Sequence, residues 1–363
     1  MTLGYIVARR LTSTRYARAY PLKVTRLRPG QFTVPVTEGT AQAGTWGVLT
    51  RAGSHFRVTG DPVVTDAGAS WALEKGAPEL TMKDELAWTG VVDPNPTAAG
   101  MSSVDSLIQT RVGTVPAWFV DSRPGERRPI WAVHIHGLGS TRAGTLRGVA
   151  AASGAGVPSV APAIRNAAEG PKVGRGRSHL GSREVEDIED VLESLSIAGD
   201  ERFVLFGWSM GAQVALQLAA DDRWRDRIIC IVLDSPVLDW RRVLTANVAH
   251  AGVPAWAATA AESWLERPWK ARAVGLDGPV NLDQMDWVAR AAEIEQPVLI
   301  HHGSRDWSVP LAGSEAFAAK APSVTLAPNA GGHTTGWNVD PGAWHSTTLE
   351  FVHQHVNAAH MQR

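Results

Sequence analysis

From about residue 104 onward the chain alternates short, almost wholly apolar runs with helix-like stretches, and few architectures tolerate that pattern. Leu107–Val112 and Val115–Val120 read as strands leading into Trp131–Ile135. Val157–Ala161, Phe203–Phe206, Ile228–Leu233, Pro297–Ile300 and Val324–Leu326 follow as further strand candidates. Between them, Ser182–Leu195 is amphipathic, with Val185, Ile188, Val191, Leu192 and Leu195 at helical spacing and acids on the opposite face. A last helix is expected over roughly Pro341–Ala358. Strands buried on both faces lose the in–out alternation, so these runs predict a mostly parallel α/β sheet with helices on both sides. Residues 237–295 interrupt the alternation with helical stretches and five tryptophans: Trp240, Trp256, Trp264, Trp269 and Trp287. An insert of that length within residues 104–363 reads as a helical lid.

Residues 1–103 have a different texture. Leu22–Leu27, Phe32–Val36, Trp46–Thr50, Phe56–Thr59 and Ser70–Leu73 read as short strands separated by Gly, Pro and Asp. Val92–Ala99 (VDPNPTAA) reads as a linker or exposed loop. This β-rich zone carries no chemical motif, and its role is left unassigned. Seven basic residues, Arg9, Arg10, Arg15, Arg18, Lys23, Arg26 and Arg28, precede the first acid, Glu38, and suggest a solvated or docked arm. The whole 363-residue chain balances 35 basic against 36 acidic residues, which argues against a general nucleic-acid binder. No apolar stretch is long enough for a membrane span, and the first residues lack a secretory signal, so a cytoplasmic protein is expected. The single cysteine, Cys230, lies in an apolar run and excludes an intrachain disulfide.

The sharpest local signal is Gly207-Trp208-Ser209-Met210-Gly211, placed between the strand Phe203–Phe206 and the helical run Ala212–Ala220. A tight strand-to-helix turn can lift a serine hydroxyl clear of a sheet edge, and it needs glycine on both sides because a Cβ would clash. A serine hydroxyl is a poor nucleophile without a base, and the base needs an orienting group. The acid candidates are Asp306, in the loop after Pro297–Ile300, and Asp234, at the end of Ile228–Leu233. The base candidates are His333, in the Gly-rich loop after Val324–Leu326, and His345, His353 and His355. Loops leaving the carboxyl ends of parallel strands line ligand crevices, which favours Asp306 and His333. His136-Gly137-Leu138-Gly139 follows another strand and can aim a backbone amide at an oxyanion. The expected donors are the amides of Leu138 and Met210. His134 and His136 share a strand face, but no third ligand follows at a suitable spacing, so no metal site is expected.

These motifs resemble the α/β-hydrolase superfamily, over roughly residues 104–363. HGLGSTR, GWSMGA, LDSPVLDW and HGSRDWSVP are similar to those of bacterial serine hydrolases related to the prolyl-oligopeptidase-type catalytic domain. The resemblance implies an eight-stranded, mostly parallel sheet, with Ser209 as nucleophile, His333 as general base and Asp306 as its orienter. Two features depart from close relatives. Residues 1–103 are too short for the propeller that gates oligopeptidases, and the oxyanion loop reads HGLG rather than HGGG. Serine at the elbow, in place of Asp or Cys, disfavours epoxide hydrolases, dehalogenases and dienelactone hydrolases.

The expected reaction is hydrolysis of a small-molecule carboxylic ester through an acyl-enzyme, with no cofactor. The same triad serves thioesters and amides, and a binding protein could retain the fold without turnover. Rate is expected to fall below about pH 6.5 as a catalytic imidazole protonates. Trp208, Trp307 and Trp337 stand close in sequence to the proposed triad and suggest an apolar substrate pocket. Arg142 and Arg165 are candidates for receiving a substrate carboxylate. A homo-oligomer is compatible with the sequence, which does not fix oligomeric state.

Overall fold

The computed structural model describes residues 2–14 and 18–361, so Arg15 of the basic arm lies outside the described residues. Eight strands form the central sheet in the order Val324–Asn329, Val298–Gly303, Ile228–Asp234, Arg202–Trp208, Ile130–Ile135, Ser159–Pro162, Gly113–Val120 and Ser103–Thr110. The first six in that order pair in parallel. Gly113–Val120 is antiparallel to both of its neighbours. This is the α/β-hydrolase arrangement, and it follows from the sequence pattern. Every residue of Ile130–Ile135, Ile228–Asp234 and Val298–Gly303 is buried, as a sheet covered on both faces requires.

Alternation along Arg202–Trp208 assigns each side chain to one of two cores. Phe203 and Leu205 pack on the side of the helices Val185–Leu195 and Met210–Ala220. Val204, Phe206 and Trp208 pack on the other side, with Val352 and Val356 of the C-terminal helix Pro341–Met361. Between Asp234 and Val298 lie the helices Trp240–His250, Trp256–Glu266 and Pro268–Val274. Trp240, Trp287 and Leu265 of this stretch are fully or nearly fully buried.

Residues 22–89 form two four-stranded antiparallel sheets around their own core, in which Phe32, Val34, Val48, Val58, Trp71 and Leu86 are almost completely buried. This unit is fastened to the central sheet's site-bearing edge. Asn338, fully buried in the short helix Gly336–Val339, donates from Nδ2 to the carbonyls of Thr45 (2.8 Å) and Gly90 (3.0 Å). The start of the chain is docked, one of the two expectations for the basic arm, but it is a helix and not part of the β-rich zone. Leu3–Leu11 is a helix, capped by Thr2, that packs on Trp256–Glu266. Ala8 is fully buried there, and Tyr5 sets its edge against Trp264. Leu3, Val7, Ala8 and Leu11 recur at helical spacing, and that apolar stripe is what docks.

No helix among the described residues is long and apolar enough to cross a membrane.

Candidate active site

The elbow places Ser209 at φ +51°, ψ −112°, between the strand Arg202–Trp208 and the helix Met210–Ala220. Its two glycines are dictated by space. A Cβ on Gly211 would sit 2.1 Å from the carbonyl oxygen of Ile135, and one on Gly207 would sit 2.8 Å from the backbone of Ala212. The strained turn is tied to the next strand, because the Ser209 N–H donates to the carbonyl of Asp234 (3.0 Å).

Three loops at strand ends bring Ser209, His333 and Asp306 together. The Ser209 hydroxyl donates to Nε2 of His333 at 2.9 Å, and Nδ1–H of His333 donates to Oδ2 of Asp306 at 2.7 Å. Asp306 is buried, and its Oδ1 accepts the N–H groups of Ser308 (3.0 Å) and Val309 (2.8 Å). Burial alone would push this carboxyl up. Hydrogen bonding from His302 and His333, with the backbone of Val309, outweighs burial and holds the carboxyl well below the ordinary carboxylate range. His302 is fixed in turn. Its Nδ1 accepts from Ser314 (2.8 Å), and its Nε2–H donates to the Val309 carbonyl (2.8 Å), 3.5 Å from Asp306 Oδ2.

Ser209 and His333 open onto a cleft of about 640 Å³, counted out to its mouth. His136, Gly137 and Leu138 form one side. Among the described residues neither the Leu138 nor the Met210 N–H has a protein acceptor. Thr89, Gly90 and Val91, at the end of the β-rich unit, also line the cleft. None of residues 237–295 lines this cleft. Instead, the insert braces the acid loop from outside: Asn247 donates to the Ser308 carbonyl (2.8 Å), and His250 stacks on Trp307 at 3.8 Å.

The other sequence candidates are placed as follows. The carboxylate of Asp234 is buried and accepts from Trp344 Nε1 (3.2 Å) and the Ser235 hydroxyl (3.3 Å), while His333 is paired with Asp306. His345, His353 and His355 lie along the C-terminal helix. Trp208 borders the cleft, but its indole stacks on Phe206 within the core. Trp307 is half exposed and outside the cleft, while Trp337 lines a neighbouring one. Arg142 is paired with Asp105 and Glu169 (both 2.9 Å), and Arg165 with Asp187 (2.7 Å) and Glu186 (3.0 Å), so both are engaged in internal ion pairs. Cys230 is buried, and burial pushes its thiol up. Among the described residues no group of three His, Cys, Asp or Glu is placed to hold a metal ion.

Two residues assigned no role from sequence, Ser235 and Arg147, hold the histidine loop. Thr334 sits at φ +52° directly after His333. Its N–H donates to the Ser235 hydroxyl (2.9 Å), and its carbonyl accepts from Nη2 of Arg147 (2.7 Å). The Arg147 side chain is 9% exposed, and its Nε lies 4.0 Å from Asp234 Oδ2.

A strand–elbow–helix serine, an imidazole and a carboxylate on an eight-stranded sheet of this order define the α/β-hydrolase class. The family profile described as "Alpha/beta hydrolase family" matches residues 132–346, and the chain belongs to that family. Among solved structures, an esterase of Pyrococcus furiosus superposes with a TM-score of 0.54 at 20% identity, covering 72% of this chain and 97% of the esterase. A bacterial membrane phospholipase A superposes with a TM-score of 0.50 at 15% identity, covering 72% of this chain and 89% of the other. No curated protein matches the chain.

Proposed function

We propose that this hydrolase cleaves carboxylic esters through Ser209, His333 and Asp306. The observation that carries the reading is the unbroken relay from hydroxyl to imidazole to buried carboxylate, at 2.9 Å and 2.7 Å. Ser209 attacks the ester carbonyl as Nε2 of His333 takes its proton. The tetrahedral oxyanion is received by the unpaired amides of Leu138 and Met210, and each such donor is typically worth about 3 kcal/mol of transition-state stabilisation. His333 then protonates the departing alcohol, leaving Ser209 acylated. Water, deprotonated by the same imidazole, attacks the acyl-enzyme and releases the acid. Asp306 stays ionised throughout, fixing the tautomer that leaves Nε2 free to accept and stabilising the imidazolium.

The esterase among its structural neighbours agrees with this reading. The decisive experiment compares kcat/KM on matched ester, thioester and anilide substrates, with Ser209→Ala as control. The ester is expected to be turned over fastest, and Ser209→Ala to lose several orders of magnitude in kcat with the fold intact. Faster turnover of the thioester or anilide would move the enzyme to that substrate class. No turnover of any of the three would point to a binding role on the same fold.

A further inference from the structure

A second cleft, of about 600 Å³, adjoins the one beside Ser209, and Gly90, Val91, Gly144 and Arg147 line both. The second cleft lies between the β-rich unit and the helix Leu146–Gly154. Its remaining walls are mainly apolar, with Val92, Met101, Leu146 and Trp337 prominent among them. The two arginines at its border are already engaged. Arg57 donates to both carboxylate oxygens of Asp93 (2.8 and 3.0 Å). Arg147 donates to the Thr334 carbonyl, with Asp234 as its counter-charge. Neither offers an uncompensated charge to a carboxylate, so what the space can reward is apolar surface.

We propose that this second cleft is the subsite for an apolar substituent of the substrate ester, and that the β-rich N-terminal unit thereby takes part in choosing the substrate. The proposal rests on the ester-hydrolase reading above and deepens it. Asn338, five residues after His333, donates to the Gly90 carbonyl, so the segment shared by the two clefts and the histidine loop are fastened to one another. Burying a methylene is worth roughly a fourfold gain in affinity, so even partial burial of a chain of several carbons gives a clear length preference.

The test is kcat/KM on two series, p-nitrophenyl esters of two- to eight-carbon acids and butyrate esters of one- to eight-carbon alcohols. It is run on the full chain and on two variants that obstruct the second cleft from different walls, Ala150→Phe and Met101→Trp. The wild type should prefer the long member of at least one series by tenfold or more, and both variants should reduce that preference at least tenfold. Labelling of Ser209 by a fluorophosphonate reports that each variant keeps its elbow. An unchanged length preference in variants that still label overturns the subsite, as does the absence of any preference in the wild type. A wild-type preference for a succinate half-ester over the butyrate ester overturns its apolar character. If no ester is hydrolysed and Ser209 does not label, the esterase reading fails first and the subsite with it.

Discussion

Replacing Asp306 with asparagine exchanges one oxygen for an NH2 group at the most constrained point of the relay. Oδ1 accepts two backbone N–H groups, of Ser308 and Val309, while Oδ2 accepts Nδ1–H of His333. An asparagine can satisfy only one of these sets. With its oxygen toward His333, its NH2 would confront two N–H donors, that of Val309 buried and that of Ser308 half-buried. At about 1–3 kcal/mol for each unsatisfied group, that orientation costs roughly 2–6 kcal/mol. A single hydrogen bond to His333 does not return so much. The oxygen therefore stays on Ser308 and Val309, and the NH2 faces the imidazole. Nδ1 can then only accept, so the ring proton moves to Nε2 and the Ser209 hydroxyl loses its acceptor. A tautomer swap of this kind lowers kcat by about ten-thousand-fold, or roughly 5.5 kcal/mol. The assay is steady-state ester hydrolysis, with circular dichroism and thermal unfolding to establish that the variant folds. A kcat within tenfold of wild type would refute the reasoning, most directly if Asp234→Asn were the variant that lost activity.

Ser235→Ala removes the acceptor of the strained Thr334 N–H. A lost hydrogen bond of about 1–3 kcal/mol should appear as a roughly fivefold to 150-fold drop in kcat with KM little changed, if the hydroxyl acts through the His333 loop rather than on substrate. Equal changes in both parameters, or none, would remove Ser235 from the positioning machinery. Acid should destabilise the fold in a defined window. Burial lowers the His301 imidazole to about 4, with Asp234 opposing and Arg147 assisting, and lowers that of His134 to about 3. Both titrate near 6.5 when unfolded, so below that pH the unfolded chain binds more protons than the folded one, and stability falls with pH. At 1.36 kcal/mol per unit, His301 alone withdraws on the order of 3 kcal/mol by pH 4. Urea unfolding at pH 7, 5.5 and 4 measures this, and a flat profile would contradict it.

The parts legible in sequence are those whose local chemistry leaves little choice. Gly207 and Gly211 flank Ser209 because the elbow has no room for a Cβ, and such a turn stands out in any reading. Asp306 and His333 follow apolar strands in loops, and a parallel sheet gathers such loops at one edge. What was illegible depends on which segments meet in space. Trp208 adjoins Ser209 in sequence, yet it sits on the strand face that packs against the C-terminal helix. Sequence proximity therefore said little about its surroundings. Trp307 likewise adjoins Asp306 but stacks outward on His250. Thr89, Gly90 and Val91 lack an acid, base or nucleophile that would mark them in sequence, and the docking of the β-rich unit, held by Asn338, brings them into the cleft of Ser209. Arg147 and Ser235 act through the Thr334 backbone, a relation that no spacing in the chain announces. The helix Leu3–Leu11 was within reach of pattern reasoning, since Thr2 can cap it and its apolar residues recur at helical spacing. The density of arginines around it drew attention to charge instead.

The most direct measurement is peptide mass spectrometry after treating folded and denatured protein with a fluorophosphonate. Formation of one adduct, on Ser209, in the folded chain and none after denaturation is the predicted result, since the proposed mechanism has the assembled His333–Asp306 pair activate that hydroxyl. An unmodified Ser209 in folded protein that still hydrolyses esters would contradict the assignment of the nucleophile.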